Sequence, residues 1–329
     1  MDMRAVFPAA PERAGMYESF FLRAVSPAEP VGVWIRNTVH KVPGRRPRGS
    51  VWCTVFDASR GRPFTHKLTS DRLSAPADGG IAVGDGADAG AVLGPGRAEG
   101  RCGGARWSLS FRSEEHELRH LPRGWLYRAP LPRTKATSPL PAAEFDGVVE
   151  VDGRRIELRS WPGMVGHNWG SEHAERWIWV HGIGFEGAPG SWLDVVLGRV
   201  LIAGRLTPWV ANGALSLDGR RHRLGGLAAR GLEVSENAGG CALTLPGEHG
   251  LTVQARVVVP PNAAAGWRYS DPRGGAHDVV NCSVSALELT VEPPGTRGRR
   301  TLRTAHGAAY ELGMRERDHG VPIAPFSDG

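Results

Sequence analysis

Apolar and polar residues alternate in short runs along the whole chain, with glycine, proline and aspartate clustered between the runs. A period of two marks a strand with one buried face, because successive side chains point to opposite sides of a sheet. In the first half this pattern predicts strands over Tyr17–Val25, Val31–Val39, Ser50–Asp57 and Arg106–Arg112. In the second half it predicts Arg176–Phe185, Trp192–Val200, Cys241–Leu245, Leu251–Val259, Ser283–Glu292 and Ala308–Arg315. Asp-Gly turns signal two hairpins: Gly147–Val151 with Arg155–Arg159 around Asp152-Gly153, and Leu215–Leu217 with Arg221–Leu224 around Asp218-Gly219. Such turns need positive φ at both central residues, which aspartate and glycine tolerate. No amphipathic helix longer than about three turns is apparent. Many short strands with regular turns predict an all-β protein of antiparallel sandwiches or closed barrels.

Two compositionally simple segments interrupt the pattern. Asp78–Gly104, rich in glycine, alanine and aspartate, reads as a mobile loop. Arg128–Ala143 carries four prolines and reads as an extended crossing between domains. A boundary near Pro141 then gives two β-rich units, over 15–140 and 141–316. The tail beyond Asp318 is expected to be disordered or loosely docked. The chain holds no exact internal repeat, so any kinship between the halves has to be structural.

The formal charge of +6 raises the question of nucleic acid. Only three of the 40 basic residues are lysines (Lys41, Lys67 and Lys135). The clusters Arg45-Arg46-Pro47-Arg48 and Arg297-Gly298-Arg299-Arg300 lie in Gly/Pro-rich turns with no interleaved aromatics. That composition is the imprint of a GC-rich genome and of solvated loops, and no nucleic-acid partner is expected. Cys53, Cys102, Cys241 and Cys282 are dispersed without Cys-x-x-Cys spacing, which predicts reduced, partly buried thiols and no zinc ribbon. No run reaches the roughly 18 apolar residues of a membrane span. The N-terminus, with an acidic second residue, lacks the apolar core of a secretory signal. A cytoplasmic protein with no stable membrane insertion is the expectation.

The stretch from Trp161 to His181 concentrates the chemistry. It packs three histidines, four tryptophans and two glutamates into 21 residues, against an aromatic content of 7% overall. In extended form, His167, Trp169, Ser171, His173, Glu175, Trp177, Trp179 and His181 share one face, a continuity that Gly170 can break. Each buried indole N–H and imidazole must find a partner. Large rings with titratable groups between them therefore suit the wall of an apolar cavity that moves protons. Plainer readings stand beside this one: Trp177 and Trp179 as core between the units, and His181 as a structural histidine beside Gly182.

Several pieces together resemble a known family. They are Met16-Tyr-Glu-Ser-Phe-Phe-Leu-Arg23, Val33-Trp-Ile-Arg36, Val51-Trp-Cys-Thr-Val-Phe-Asp57, Pro132-Arg-Thr-Lys135 and Gly163-Met-Val-Gly-His-Asn-Trp-Gly170. Their order resembles the double-lipocalin group of carotenoid 1,2-hydratase (hydroxyneurosporene synthase), tocopherol cyclase and AttH-like proteins. The resemblance spans Tyr17 to Arg315 at the level of pattern, and the His-x-Trp-Gly block is its distinctive part. It implies two consecutive antiparallel lipocalin-like β-barrels joined by the Pro-rich crossing, and a long isoprenoid or polyketide-like ligand. In the hydratases a motif like Asp-His-x-Trp-Gly is followed by Tyr-x-Asp. Here His167 and Trp169 match the first motif, and Trp192-Leu193-Asp194 occupies the place of the second. Gly166 replaces the acid and Trp192 the tyrosine, so the fold carries over further than the reaction.

Hydrating or cyclising an isolated alkene demands a strong acid beside the double bond and a surface that tolerates a cation. Asp194 is the candidate donor, since burial of a carboxyl in an apolar barrel raises its pKa. Trp169, Trp177 and Trp179 would offer ring faces to a carbocation, each worth about 0.5–2 kcal/mol when desolvated. His167 or His173 would act as base or re-protonate the acid. Trp192 and Glu172 complete the ligand-binding candidates. Competing structural readings keep Asp194 satisfied by Arg199 or backbone N–H groups, and His167 pinning its own loop.

His167, Glu172, His173 and His181 offer enough ligands for zinc or iron, but the His-x5-His-x7-His spacing matches no helical pair, and no metal is expected. No Gly-x-Ser-x-Gly elbow and no Gly-x-Gly-x-x-Gly after a strand is present, so neither a serine hydrolase nor a nucleotide cofactor is expected. The expectation is a lipophilic polyene, isoprenoid or polyketide-like ligand, and no cofactor. Either the protein hydrates, cyclises or rearranges that ligand, including by pericyclic closure of a folded conformer, or it is a carrier or sensor. A cavity collapsed around its tryptophans is the third option. The discriminating place is the neighbourhood of Asp194: an enzyme of this kind needs that carboxyl facing a cavity near His167.

Overall fold

Strand Ala105–Arg112 shows how alternation becomes a barrel wall: Ala105, Trp107, Leu109 and Phe111 are buried while the residues between them are exposed. The computed structural model describes residues 2–11, 13–85, 90–227, 229–295 and 298–326. In them every predicted strand is present, most with longer ends, while Arg176–Phe185 stops at Gly182 and Leu251–Val259 shortens to Thr252–Val258. The two Asp-Gly hairpins turn as expected, with φ of 48° and 78° at Asp152-Gly153 and 52° and 73° at Asp218-Gly219.

Two large antiparallel sheets result, beside a separate two-stranded ribbon of Leu201–Ile202 and Arg205–Leu206. The first runs Phe64–Ser70, Arg48–Asp57, Val31–Lys41, Met16–Val25, Arg154–Gly170, Thr134–Val151, Ala105–Arg112, Arg97–Cys102, Gly90–Gly94, Ile81–Gly84, Leu73–Ser74. The second runs Arg220–Gly225, Val210–Leu217, Trp192–Arg199, Arg176–Gly182, Arg300–Met314, Ala276–Glu292, Thr252–Val258, Gly240–Pro246, Glu233–Asn237. In each sheet the first strand in sequence pairs with the last, and each last strand forms a long bulged hairpin with the one before it. The halves are therefore related by topology where no sequence repeat was visible. Each sheet curls on itself around its own apolar core, with a bridge from Leu224 to Gly247 drawing the second towards closure. The architecture is all-β, two lipocalin-like barrels in tandem.

Two expectations about organisation change, and a third, for the tail, resolves to one of its alternatives. The segment 78–104 is not a loop: it supplies Ile81–Gly84, Gly90–Gly94 and Arg97–Cys102, and Ile81, Val83, Ala91, Leu93 and Ala98 are fully buried in the first core. Its small residues allow close packing of backbones. A Cβ on Gly80, whose φ is 89°, would stand 1.9 Å from the Leu93 carbonyl oxygen. Residues 86–89 lie outside the described residues, as does Arg297 of the second basic cluster. The proline-rich segment is half of strand Thr134–Val151, so the expected boundary near Pro141 falls inside a strand of the first sheet. Prolines cannot donate to a ladder, and the register breaks between Thr137 and Leu140 and between Leu140 and Ala143, where Pro139 and Pro141 sit. The chain changes sheet later, between Gly170 and Arg176. The tail to Phe326 docks: Ile323 bridges Gly266, and Phe326 packs on Trp267. Residues 327–329 lie outside the described residues.

Strand Met16–Val25 is buried on both faces and explains how the barrels join. Phe20, Leu22 and Ala24 enter the first core, whereas Phe21 and Val25 turn to a third cluster between the barrels. That cluster is rich in indoles, holding Trp34, Trp52, Trp192 and Trp267 with Tyr269 and Phe56. All four cysteines are free and buried, and no helix among the described residues is long and apolar enough to cross a membrane.

Candidate active site at the mouth of the first barrel

Strand Arg154–Gly170 carries Val165 into the first core, and period two continues that inward face to His167 and Trp169 at the end of the barrel. There the interior opens into a cleft of about 440 Å³, lined by His167, Trp169, Thr137, Tyr127, Arg119 and Arg128 and walled by the N-terminal segment from Asp2 to Val6. The rings form a stack: Phe20 lies 3.9 Å from His167 at 9°, and His167 lies 4.5 Å from Trp169. Tyr127 tilts against Trp169 at 5.9 Å, and its hydroxyl donates to the Ala136 carbonyl.

One fully buried side chain fixes most of this. Glu18 accepts the Val6 and Phe7 backbone N–H groups at 2.7 Å each, which pins the N-terminal wall. Its Oε1 also lies 2.8 Å from His167 Nε2. A carboxylate acceptor assigns the imidazole proton to Nε2 and leaves a lone pair on Nδ1. The arrangement is a histidine oriented by a buried acid, the geometry of a general base.

The remaining predicted site residues are dispersed. The shared face from His167 to His181 does not exist, because strand Arg154–Gly170 ends at Gly170 and the next strand, Arg176–Gly182, belongs to the other barrel. Asp194 is fully buried between the barrels, hydrogen-bonded by Ser138 Oγ at 2.5 Å and Trp179 Nε1 at 3.0 Å, with His120 Nε2 3.5 Å away. The expected rise in its pKa is not found. Burial pushes the carboxyl up, but the His120 imidazole and the Ser138 hydroxyl outweigh it and hold the group below the ordinary carboxylate range. Arg199, weighed as its partner, instead donates to the Thr207 carbonyl. Beside Asp194, His181 accepts from Arg23 Nη1 at 2.8 Å and donates through Nε2 to the Pro141 carbonyl. Burial first, and the Arg23 charge second, lower the His181 pKa to about 4.

Trp192 belongs to the inter-barrel cluster, donating to Glu115 beneath Arg221. Trp177 donates to Glu311, and its ring faces His173 at 5.4 Å. His173 lies in the segment between the barrels, stacked on Tyr17 at 3.9 Å and bound to Asp271. Glu172 pairs with Arg133. Sequence reasoning brought His167 and Trp169 together and missed Glu18, His120, Ser138, Arg23, Tyr127, Asp271 and His277. A charge inside the otherwise apolar Met16–Val25 run was the available signal for Glu18 and Arg23. Nothing local marks the others.

Fold and site define a tandem lipocalin-like barrel protein with a histidine-bearing cleft at the mouth of its first barrel. No family model matches the chain. It is 27% identical over 317 residues to uncharacterized protein Rv0493c of Mycobacterium tuberculosis strain ATCC 25618 / H37Rv, across 94% of this chain and 90% of that one. Uncharacterized protein MT0513 of strain CDC 1551 / Oshkosh is similar to the same extent. Among solved structures the chain is similar to CghA, with a TM-score of 0.60 at 14% identity over 95% of this chain and 94% of that one. The AttH-like protein NE1406 of Nitrosomonas europaea gives 0.52 at 12% identity over 95% and 97%. At these identities the structural likeness is one of fold.

Proposed function

We propose that the protein binds a lipophilic isoprenoid, polyene or polyketide-like molecule at the mouth of the first barrel and catalyses its hydration, cyclisation or rearrangement. The carrying observation is the cleft of about 440 Å³ lined by Trp169, Tyr127 and an imidazole that is held between Phe20 and Trp169 and oriented by Glu18. That volume suits a small organic ligand. His167 Nδ1 would take a proton from the substrate or from an attacking water, and Glu18 would stabilise the imidazolium through Nε2. Arg128 in the lining suits an oxygenated group on the ligand, while Arg119 is paired with Glu117 of the same lining. Asp194 has no part in this chemistry, and a mechanism that needs it as a protonated acid is abandoned. Trp177, Trp179 and Trp192 act through packing and indole hydrogen bonds, and Glu172 through its ion pair with Arg133.

One observation favours the second reading, a carrier or sensor: Asp194 is sequestered between the barrels and is not among the residues that line the cleft. A single experiment separates the two. Extract from the native host is passed over the immobilised protein, and retained lipophilic compounds are identified by mass spectrometry, then incubated with wild type, His167→Ala and Glu18→Gln. Retention with conversion that both variants abolish supports the enzyme. Retention without conversion by wild type supports the carrier. No retained compound, and no displacement of a fluorescent probe such as anilinonaphthalene sulfonate from the cleft, sinks both.

A further inference from the structure

Two histidines and one aspartate, far apart in sequence, converge where the chain passes from one barrel to the other. His173 stands in the connecting segment, Asp271 follows strand Ala265–Ser270, and His277 lies at the start of strand Ala276–Glu292. Asp271 Oδ1 holds both the backbone N–H and Nδ1 of His173 at 2.8 Å. Asp271 Oδ2 faces His277 Nδ1 at 3.6 Å, too long for a hydrogen bond. One ligand atom from each of the three lies within 4.8 Å of the others, the one such group among the described residues.

Burial makes the cluster unusual. The His277 side chain is 0% exposed and Asp271 2%. Yet neither ring nitrogen of His277, nor Asp271 Oδ2, nor His173 Nε2, has a hydrogen-bond partner among the described residues. Buried polar atoms are nearly always satisfied, because an orphan keeps its desolvation cost with nothing to offset it. Three of the four offer lone pairs (His173 Nε2, Asp271 Oδ2 and one nitrogen of a neutral His277), and three lone pairs in one spot call for something that accepts them. Imidazole nitrogens and a carboxylate oxygen are the donor set of a borderline divalent transition ion. Around a tetrahedral ion with bonds of about 2.0–2.1 Å, ligand atoms stand roughly 3.3 Å apart. Reaching that spacing from 4.8 Å takes side-chain rotation with no change of fold.

We propose that His173, Asp271 and His277 bind a divalent transition-metal ion of the zinc class, which clamps the inter-barrel segment to the second barrel. A small void of about 20 Å³, lined by His173, Tyr17 and Tyr269, adjoins the cluster. It has room for one water, the fourth ligand. The site is distinct from the His167 cleft: the void beside it and the cleft share no lining residue, and Tyr17 stacks on His173 while Glu18, next in sequence, binds His167.

The test is direct. Protein stripped with a chelator is titrated with Zn²⁺ by calorimetry and with Co²⁺ by absorption, and the full chain is scanned for thermal unfolding with and without Zn²⁺. The expected result is one equivalent bound, a Co²⁺ spectrum with nitrogen ligation, and a higher midpoint with the ion. His277→Gln and Asp271→Asn, which keep side-chain volume, should each weaken Zn²⁺ binding by about 100-fold or more. Wild type that takes up neither ion overturns the proposal. So does uptake that is unchanged in both variants, since the ion then sits elsewhere. If either variant fails to fold, His173→Gln in the connecting segment supplies the same comparison.

Discussion

Acid should unfold this protein partly through one histidine. His181 is fully buried between the barrels, with its Nδ1 accepting from Arg23 and its Nε2 donating to a carbonyl. Protonating it would put a second positive charge beside Arg23 in a dry place and turn an acceptor into a donor. Burial and Arg23 therefore lower its pKa from 6.5 to about 4. The sign follows from proton counting. Between those two pH values the unfolded chain carries the proton and the folded chain does not, so stability is complete above 6.5 and falls with pH towards 4. At 1.36 kcal/mol per pH unit, the loss reaches about 2 kcal/mol at pH 5 and about 3 kcal/mol at pH 4 and below. The assay compares wild type with His181→Gln, whose amide can accept from Arg23 and donate to the Pro141 carbonyl without titrating. Urea unfolding is followed by tryptophan fluorescence at pH 7, 6, 5 and 4. Other acid effects are common to both proteins and cancel. The stability gap between them should shift by about 3 kcal/mol in favour of the variant from pH 7 to pH 4. Arg23→Met, which removes the neighbouring charge, should make the acid loss smaller. A gap that stays constant within about 0.5 kcal/mol, well below the linkage value, would refute the placement of a neutral His181 beside Arg23.

Other predictions probe the cleft, the inter-barrel network and the strand packing. Trp169→Ala removes a ring that stacks on His167 and should weaken a lipophilic probe about 10- to 100-fold, measured by fluorescence titration. Ser138→Ala deletes the hydroxyl donor to Asp194 and should cost about 1.5–3 kcal/mol in urea unfolding, while probe affinity at the cleft stays within about twofold. An equal loss of binding would place Asp194 back in the ligand site. Gly80→Ala forces a Cβ against the Leu93 carbonyl and should cost about 3 kcal/mol. Gly44→Ala, at φ of 73° with open space around it, should cost only about 1 kcal/mol, and equal midpoints for the two would exclude the clash.

What the amino-acid order determined by itself was local. Period-two runs named most of the long strands but not Phe64–Ser70 or Ala265–Ser270. Asp-Gly pairs turned two hairpins, and the His-x-Trp-Gly block marked two residues of the cleft, because each of these depends on neighbours a few positions away. The expected loop at 78–104 failed for a related reason. Glycine and alanine look like punctuation locally, and only a facing strand 1.9 Å from a missing Cβ reveals that they are packing residues. Tertiary structure alone decided the partners. Glu18 meets His167 across 149 positions, Asp271 meets His173 across 98, and Asp194 meets Ser138 across 56. Those distances in sequence are closed by pairing the first strand of each sheet with its last and by pressing one barrel on the other. Strand period states which way a side chain points; what waits there depends on how two sheets curl and meet, and that is a property of the packed whole.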